Sequence, residues 1–421
     1  MQEQVLSFKS EKRKNLLYSI FALYIIYSTD SLIVCLNANR TVEYGSYAIL
    51  GMFASIFLVK ILMRNHGRIS WDILLCVVCV FLSSIMNFDR SLIGLIKVFC
   101  LIIGFYIATE FDQKRFVKAF VSMMTLIAIA SLIVYVLKDF LIGLNIFPII
   151  TGYKEQQFVN FFFANVRVNS ASSFRNWGPF WEPGAYQAYA IVSLLFLLFD
   201  NIKFKHKNLM IIIHVITIGT IMSTTGFLAI PFLLIAFILD GSNSKKFLFL
   251  KITIIVMVFG FLFWFMSSSY FDTIFTNKFE MGSDIDRIVT VQYGIQLFLQ
   301  KPIFGHSSAY TAKFHEIAGQ AFAITNTYIA NLVVFGLVMG MLSVVLIYRF
   351  AKSYRKAGIV TLLIFISLIV SFSGENMLYC PLFSFMMFYR ANKTNGHSDE
   401  YSVRLRKGIL KAYNGNEGID L

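Results

Sequence analysis

The chain has 421 residues, 57% of them hydrophobic and 14% charged, with a mean hydropathy of +0.69. A soluble domain is roughly 45–50% apolar and about 25% charged, so a typical cytosolic enzyme, a disordered chain and a coiled coil are excluded. The net charge of +14 would suggest nucleic acid in a soluble protein; in so apolar a chain it reads as a topological signal, and no nucleic-acid partner is expected.

A bilayer-spanning helix needs about 20 apolar residues. The first such run, 16–36, follows the basic stretch Lys9, Lys12, Arg13 and Lys14. It exceeds a signal-peptide core and lacks a small-residue cleavage site. Further spans are expected over 45–63, 72–86, 91–109, 116–137, 185–199, 209–223, 226–239, 247–266, 323–348, 358–372 and 377–389. The expected fold is an all-α integral membrane protein, a polytopic bundle of about 12 transmembrane helices. Residues 1–390 read as one membrane domain and 391–421 as a polar tail.

Lysine and arginine set the orientation. With the N-terminus cytoplasmic, 24 of the 37 cations fall in inside segments and ten in outside ones. Every inside loop is then basic, and both termini are expected in the cytoplasm. Two loops are long, about 138–184 and 267–322, and both face outward; they hold eight of the ten outside cations. Long loops in compact proteins are usually functional. Within them, 158–163 and 285–299 are expected to form short interfacial or re-entrant helices. No internal repeat is visible. Cys35, Cys76, Cys79, Cys100 and Cys380 lie in apolar runs, so neither a disulfide scaffold nor a metal site is expected. Asp30 and Lys97 lie at similar depth in two spans, and charges in a membrane usually pair, so an Asp30–Lys97 pair is expected.

The stretch most able to do chemistry runs from Arg167 to Tyr186. It holds Arg167, Arg175, Trp177, Trp181 and Glu182 just ahead of a membrane helix that Pro183 can open. Arginine grips phosphate oxygens in a bidentate fork. Tryptophan suits both the headgroup zone and sugar faces, and the same composition also describes a plain aromatic anchor. The second loop carries Asp284, Asp286, Arg287, Lys301, His306, His315 and Glu316, then enters a helix through Thr325, Asn326 and Thr327. Arg287 is a second candidate phosphate contact, and His306 and His315 are candidate general bases. The acid–histidine set lacks convincing metal spacing. Ser223, Thr224, Thr225 and Gly226 form an outer hairpin tip, and Ser373, Gly374, Glu375 and Asn376 another outer turn.

Arg175, Gly178, Phe180, Trp181, Glu182, Pro183 and Gly184 together resemble the R-x-x-G-x-F-W-E-P-G signature of O-antigen and capsular repeat-unit polymerases. Ser223, Thr225 and Gly226 resemble their S-x-T-G hairpin. Pro302 to Gly305, then Thr325, Asn326, Gly336 and Gly340, resemble a region shared with O-antigen ligases, with Thr325 where ligases carry histidine. Arg167, ten residues and Gly178 match an R-x10-G loop pattern of such polymerases. The resemblance covers about 165–345.

It implies a membrane glycosyltransferase in the bacterial cytoplasmic membrane. The donor is a glycan on undecaprenyl pyrophosphate, the acceptor is another lipid-linked repeat unit, and growth occurs on the outer face. No cofactor is implied, the lipid pyrophosphate being the substrate's carrier. Partners are membrane lipids, the lipid-linked oligosaccharide, a chain-length regulator and a flippase. The implied roles are Glu182 as first-choice base with His306 and His315 behind it, Arg175, Arg167 and Arg287 on the pyrophosphate, and Trp177, Trp181 and Asn326 as substrate contacts. The alternatives are an O-antigen ligase acting on lipid A core and, from another class, a polysaccharide or lipid flippase. A transporter would show repeats and midplane polar sites, whereas here the polar residues gather in outward loops.

Overall fold

The computed structural model describes residues 2–28, 31–34, 40–64, 70–151, 156–168, 175–240, 283–318, 324–354 and 356–391, with isolated positions at 256, 260 and 267. Within these, α1 is Gln2–Tyr27, α2 Arg40–Arg64, α3 Trp71–Met86, α4 Ile93–Thr109 and α5 Gln113–Gly143. A sheet of β1 (Ile149–Thr151), β2 (Gln157–Asn160) and β3 (Asn165–Arg167) follows. Then come α6 Pro183–Phe199, α7 Lys207–Ile221, α8 Thr224–Asp240, α9 Ser283–Gln300, α10 Tyr310–Ala318, α11 Thr327–Lys352, α12 Gly358–Ser373 and α13 Pro381–Phe388.

Local chemistry sets the helix starts. Ser70 accepts from the Asp72 amide, Asp112 from that of Arg115, and Asn326 from those of Tyr328 and Ile329; each satisfies amides that have no partner within the helix. Pro183 and Pro381 open α6 and α13, where a missing N–H costs nothing. Met222, in the left-handed region (φ 51°), closes α7 and turns the chain into α8.

Every residue of α6 and of α13 is buried, and α4 is buried over most of its length. These helices are apolar all round because they are surrounded by others. The outer helices show the opposite pattern. Leu74, Val78, Phe81 and Ile85 of α3, Ile129, Ile133 and Val136 of α5, and Leu337, Met341 and Val345 of α11 are all exposed. So much exposed apolar surface belongs against lipid rather than water. Three described helices, Thr41–Met63, Gln113–Gly143 and Thr327–Lys352, are long and apolar enough to cross a membrane; α3, α4, α6, α7, α8 and α12 are shorter apolar helices.

Eleven of the expected spans thus overlap helices, although α1 ends at Tyr27 and the described residues 28 and 31–34 of the first span are not helical. The expected span 247–266 lies outside the described residues, apart from positions 256 and 260, and the last helix is only eight residues long. Residues 285–299 are helical, as expected. Residues 158–163 are not: Phe158–Asn160 belong to β2, paired antiparallel with β1 and β3 in the order β1-β2-β3. Phe162 sits at φ 67° and its amide donates to Asn160 Oδ1 (2.6 Å). A phenylalanine held in a left-handed turn stops any helix there.

Asp30 is outside the described residues, so the expected pair is not seen. Lys97 is fully buried, donates to the Leu378 carbonyl (2.6 Å) and lies 5.6 Å from the Phe383 ring centre. Cys76, Cys79, Cys100 and Cys380 are unbonded to each other and buried.

One irregularity shapes one end of the bundle. At Gly336 (φ 83°) α11 loses its helical backbone. The segment from Pro302 to His306 fills the break: the Leu337 amide donates to Pro302 O and the His306 amide to Val333 O, both at 2.8 Å. A Cβ on Gly336 would collide with the Ile303 carbonyl, and one on Gly305 with that of Val334. These two glycines exist so that two backbones can touch.

Candidate active site

The site is built around the entry to α6. Asn176 ties its approach to two helices: its amide donates to Thr220 O (3.0 Å), and its Nδ2 to Thr220 Oγ1 (3.0 Å) and Ser131 Oγ (3.2 Å). Gly178 follows with φ 53°, and a Cβ there would lie 2.6 Å from the Tyr186 ring. Phe180 is fully buried, stacked on Tyr186 with ring centres 5.6 Å apart. The Asn165 amide donates to Gly178 O (2.7 Å) and that of Leu32 to Pro179 O (2.9 Å). The loop signature is therefore a clamped structure joining β3, α5, α6 and α7.

Two arginines converge on Trp177. The guanidinium carbons of Arg167 and Arg175 lie 5.7 and 6.0 Å from its ring centre, a cation–π arrangement. Arg175 Nε also donates to Ile221 O (3.2 Å). Trp177 is 2% exposed, with Phe158 edge-on at 5.3 Å and Trp181 partly buried against this group. Burial lowers the proton affinity of Arg167, and the nearby Glu182 charge raises it. Glu182 is the N-cap residue of α6 with extended backbone, and its side chain makes no capping hydrogen bond. A shallow depression lies alongside, lined by Ser131, Tyr135 and Lys138 of α5, Asn165 of β3, and Arg175 and Asn176.

Beneath the α6 entry is a polar floor. Ser223 Oγ and Thr225 Oγ1 donate to Gln187 Oε1 (3.0 and 2.7 Å), and Gln187 Nε2 donates to Ser371 Oγ (3.1 Å). A Cβ on Gly226 would meet the Gln187 side chain at 2.8 Å, and one on Gly374 would meet Thr225 Oγ1. The turn after α12 brings in Glu375, 8% exposed, whose carboxyl group packs on Gly184 in the first turn of α6. Thr327 holds that turn: its Oγ1 donates to Glu375 O (2.6 Å) and accepts from the Met377 amide (2.9 Å). Four stretches far apart in sequence thus meet: Glu182 to Ala185, Ser223 to Gly226, Ser373 to Asn376, and Thr325 to Tyr328.

The second-loop candidates divide differently. His306 is buried. With its ring Nε2 facing Leu297 O at 2.7 Å, that nitrogen carries the proton and donates. Burial pushes His306 below its ordinary value, the carbonyl contact opposes this, and nearby Lys313 and Lys301 add to it. Its hydrogen bonds place it in the packing of the α11 break. His315 lies exposed in the last turn of α10. Asn326 spends its side-chain oxygen on the α11 N-terminus. The side chains of Arg287, Asp284 and Asp286 lie outside the described residues. Arg167, Arg175, Trp177, Trp181 and Glu182 therefore come together, and His306 and Asn326 serve local structure. Glu375 was a turn residue to sequence reasoning, and the signal that would have found it is the spacing of acids at expected outer helix ends.

Ser307 Oγ and Ser308 Oγ donate to the two Asp89 oxygens, each at 2.5 Å, and Lys301 Nζ donates to Asn87 Oδ1 (2.8 Å). Burial alone would raise the Asp89 carboxyl, but hydrogen bonds from Ser307, Ser308 and Ser91 hold it well below the usual carboxylate range. These contacts latch the second loop to the α3–α4 turn.

An apolar-faced helical bundle with a polar, arginine-bearing cluster at one end defines a membrane protein. Residues 209–333, under a third of the chain, are similar to the family whose model is described as O-Antigen ligase. Its members are membrane glycosyltransferase-like enzymes of lipopolysaccharide and related polysaccharide synthesis that act on lipid-linked glycans. The match spans the Ser223–Gly226 hairpin, the Pro302–Gly305 segment and the start of α11. Arg175, Glu182 and Glu375 lie outside it. No curated protein and no solved structure matches the chain.

Proposed function

We propose that this protein is a polysaccharide polymerase of the cytoplasmic membrane, joining polyprenyl-pyrophosphate-linked repeat units on its outer face. The observation that carries the reading is the pair Arg167 and Arg175 set on Trp177 at the mouth of α6, with Lys138 lining the same shallow depression as Arg175. Cations fixed in place before reaction stabilise charge that develops in the transition state. The acceptor hydroxyl oxygen attacks the anomeric carbon of the donor glycan. The bond from that carbon to the pyrophosphate oxygen breaks, and the lipid pyrophosphate leaves with the electron pair. The acceptor proton passes to a carboxylate at the α6 entry, for which Glu182 is the candidate read from the sequence. Arg167, Arg175 and Lys138 stabilise the leaving group, with Arg287 as a further contact. The polyprenyl tail lies along the exposed apolar side of α5. No cofactor takes part, and a flippase supplies the substrate while a separate regulator sets chain length.

A second reading, an O-antigen ligase acting on lipid A core, is favoured by the description of the matching family model. Thr325 in place of the ligase histidine favours polymerase. Purified protein in liposomes with lipid-linked repeat units separates the readings. A ladder of polymer supports the polymerase. Transfer to lipid A core alone supports the ligase, and translocation without bond formation refutes both.

A further inference from the structure

We infer that the end of α5 and the three-stranded sheet form an interfacial foot, an apolar surface seated in the phospholipid headgroup layer beside the arginine pair. Phe140 of α5, Leu144 and Ile146 just after it, Ile149 of β1 and Phe162 in the β2–β3 turn are 43–69% exposed. They form one patch. The Phe147 ring, next to Ile146, lies 4.4 Å from that of Phe161, which prolongs the β1–β2 pairing of Ile149 with Val159. Phe162 follows, stacked at 5.3 Å on Tyr27, the last residue of α1. The patch thus reaches from the end of α5 to the end of α1.

Three observations name lipid as its occupant. The first is continuity. Leu126, Ile129, Ile133, Val136 and Leu137 are exposed and precede Phe140 and Leu144 at steps of three and four, which is one face of a helix. That is the face α5 turns to lipid, and the patch prolongs it. The second is length. Lys118 and Lys138 stand twenty positions apart on α5, and no residue between them is charged. Twenty positions make about 30 Å of helix, the thickness of a hydrocarbon core. Lys138 Nζ lies 5.6 Å from the Tyr135 ring centre, an aromatic and basic pairing suited to the membrane interface. Phe140 to Ile149 therefore begin where the core ends.

The third is how Phe162 is presented. At φ 67° its backbone is strained for a residue with a Cβ. Its amide is held by Asn160 Oδ1 (2.6 Å), and its carbonyl accepts from the Tyr27 hydroxyl (2.7 Å). The strain displays an apolar ring. In water that display gains nothing, whereas in the headgroup layer the ring is buried.

The foot also bears on the arginines. Arg167 of β3 stands opposite Phe158 of β2, and the amide of Asn165, also in β3, holds Gly178 O. Seating the sheet in the headgroups sets Arg167, Trp177 and Arg175 at the level where a lipid pyrophosphate presents its phosphates. This consequence rests on the glycosyl-transfer reading above; the seating does not.

Fluorescent labels on Ile146→Cys and Phe162→Cys test the seating. Each is made in a Cys35→Ser background, since Cys76, Cys79, Cys100 and Cys380 are buried. The liposomes contain phosphatidylethanolamine and phosphatidylglycerol and no lipid-linked glycan. Lipids carrying a quencher near the headgroup should quench both labels at least about twofold more than lipids carrying it at the chain end, and aqueous iodide should quench weakly. A label open to iodide and untouched by either lipid overturns the inference and marks a face for a soluble ligand such as a glycan. A label shielded from all three also overturns it, because a second copy would then cover the patch. If one variant fails to fold, the other decides. With lipid-linked repeat units present, Phe162→Ser should raise KM about threefold or more at unchanged kcat, and Phe162→Trp should keep both. An unchanged KM for Phe162→Ser overturns the link to the arginines. A wild-type protein that transfers no glycan refutes the underlying reading, while the labels still report on the foot.

Discussion

Gly178→Ala tests whether the α6 entry is clamped as described. Two costs are expected. Placing a Cβ-bearing residue at φ 53° costs about 1–2 kcal/mol. The new Cβ would also lie 2.6–2.8 Å from three atoms of the Tyr186 ring. That ring cannot swing aside cheaply. It is fully buried, stacked on Phe180, and its hydroxyl lies 2.7 Å from Ser131 Oγ. Overpacking of this kind costs about 1–3 kcal/mol. The total is about 2–5 kcal/mol, and the Asn176 tie that positions Arg175 should loosen with it. A double-mutant cycle isolates the steric part. In a Tyr186→Ala background the ring is gone, and Gly178→Ala should cost only the backbone share of about 1–2 kcal/mol. Unfolding in mixed micelles measures each corner, and the transfer assay runs on the same samples. A coupling energy below about 0.5 kcal/mol would show that residue 178 and Tyr186 do not meet, and the account of this loop would fail.

Arg175→Ala should abolish glycan transfer while the protein still inserts and keeps its midpoint; retained chain growth removes Arg175 from the site. Gly184→Ala should raise α6 propensity, by about 1 kcal/mol at most, yet lose transfer because its Cβ displaces the Glu375 carboxyl, so equal activity would mean that the contact is idle. His306 is held below its ordinary value, so the unfolded chain binds a proton before the folded one does. Stability should be flat above about pH 6.5 and fall as the pH drops below it. His306→Gln should blunt that fall in midpoints measured from pH 7.5 to 5, and an unchanged slope assigns the acid sensitivity elsewhere. Asp89→Asn should cost about 1–2 kcal/mol through the Ser307 and Ser308 hydrogen bonds, read as faster trypsin cleavage after Lys313; unchanged cleavage would mean that the latch bears no load.

What could be read in advance followed from where the physics is local. Apolar runs of span length declare helices regardless of neighbours, so α2 to α8, α11 and α12 fall where hydropathy places them. Caps such as Ser70, Asp112 and Asn326 are local too. The triple phenylalanine at 161–163 misled for the opposite reason. Its composition suits a membrane helix, but the Asn160 turn and the pairing of β2 with two strands depend on residues up to ten positions away. Gly178 and Gly336 are legible only as motif glycines until Tyr186 and Ile303 are seen against them. Glu375 was legible only as an outer-turn residue, because its contact with Gly184 joins positions nearly two hundred residues apart. Arginine and tryptophan at a helix entry were legible as chemistry; that both arginines share one tryptophan was not.

The cations of this chain do different work at the two ends of the bundle, and the difference can be argued from their partners. Arg349 reaches both Asp72 oxygens at 2.8 and 3.0 Å, Lys356 meets Asp240 at 2.6 Å and Arg115 meets Asp112 at 2.9 Å, all where positive loops are expected inside. Partly exposed pairs of this sort contribute about 0–1 kcal/mol each, so their main effect is to bias orientation, and losing one should change neither fold nor activity much. At the opposite end, Arg167 and Arg175 rest on an aromatic face and a backbone carbonyl. A cation–π contact contributes about 0.5–2 kcal/mol, so removing either arginine also leaves most of the stability. On the proposed reaction the two ends should therefore look alike in unfolding experiments and unlike in turnover, because Arg167 and Arg175 are the cations assigned there to the departing pyrophosphate.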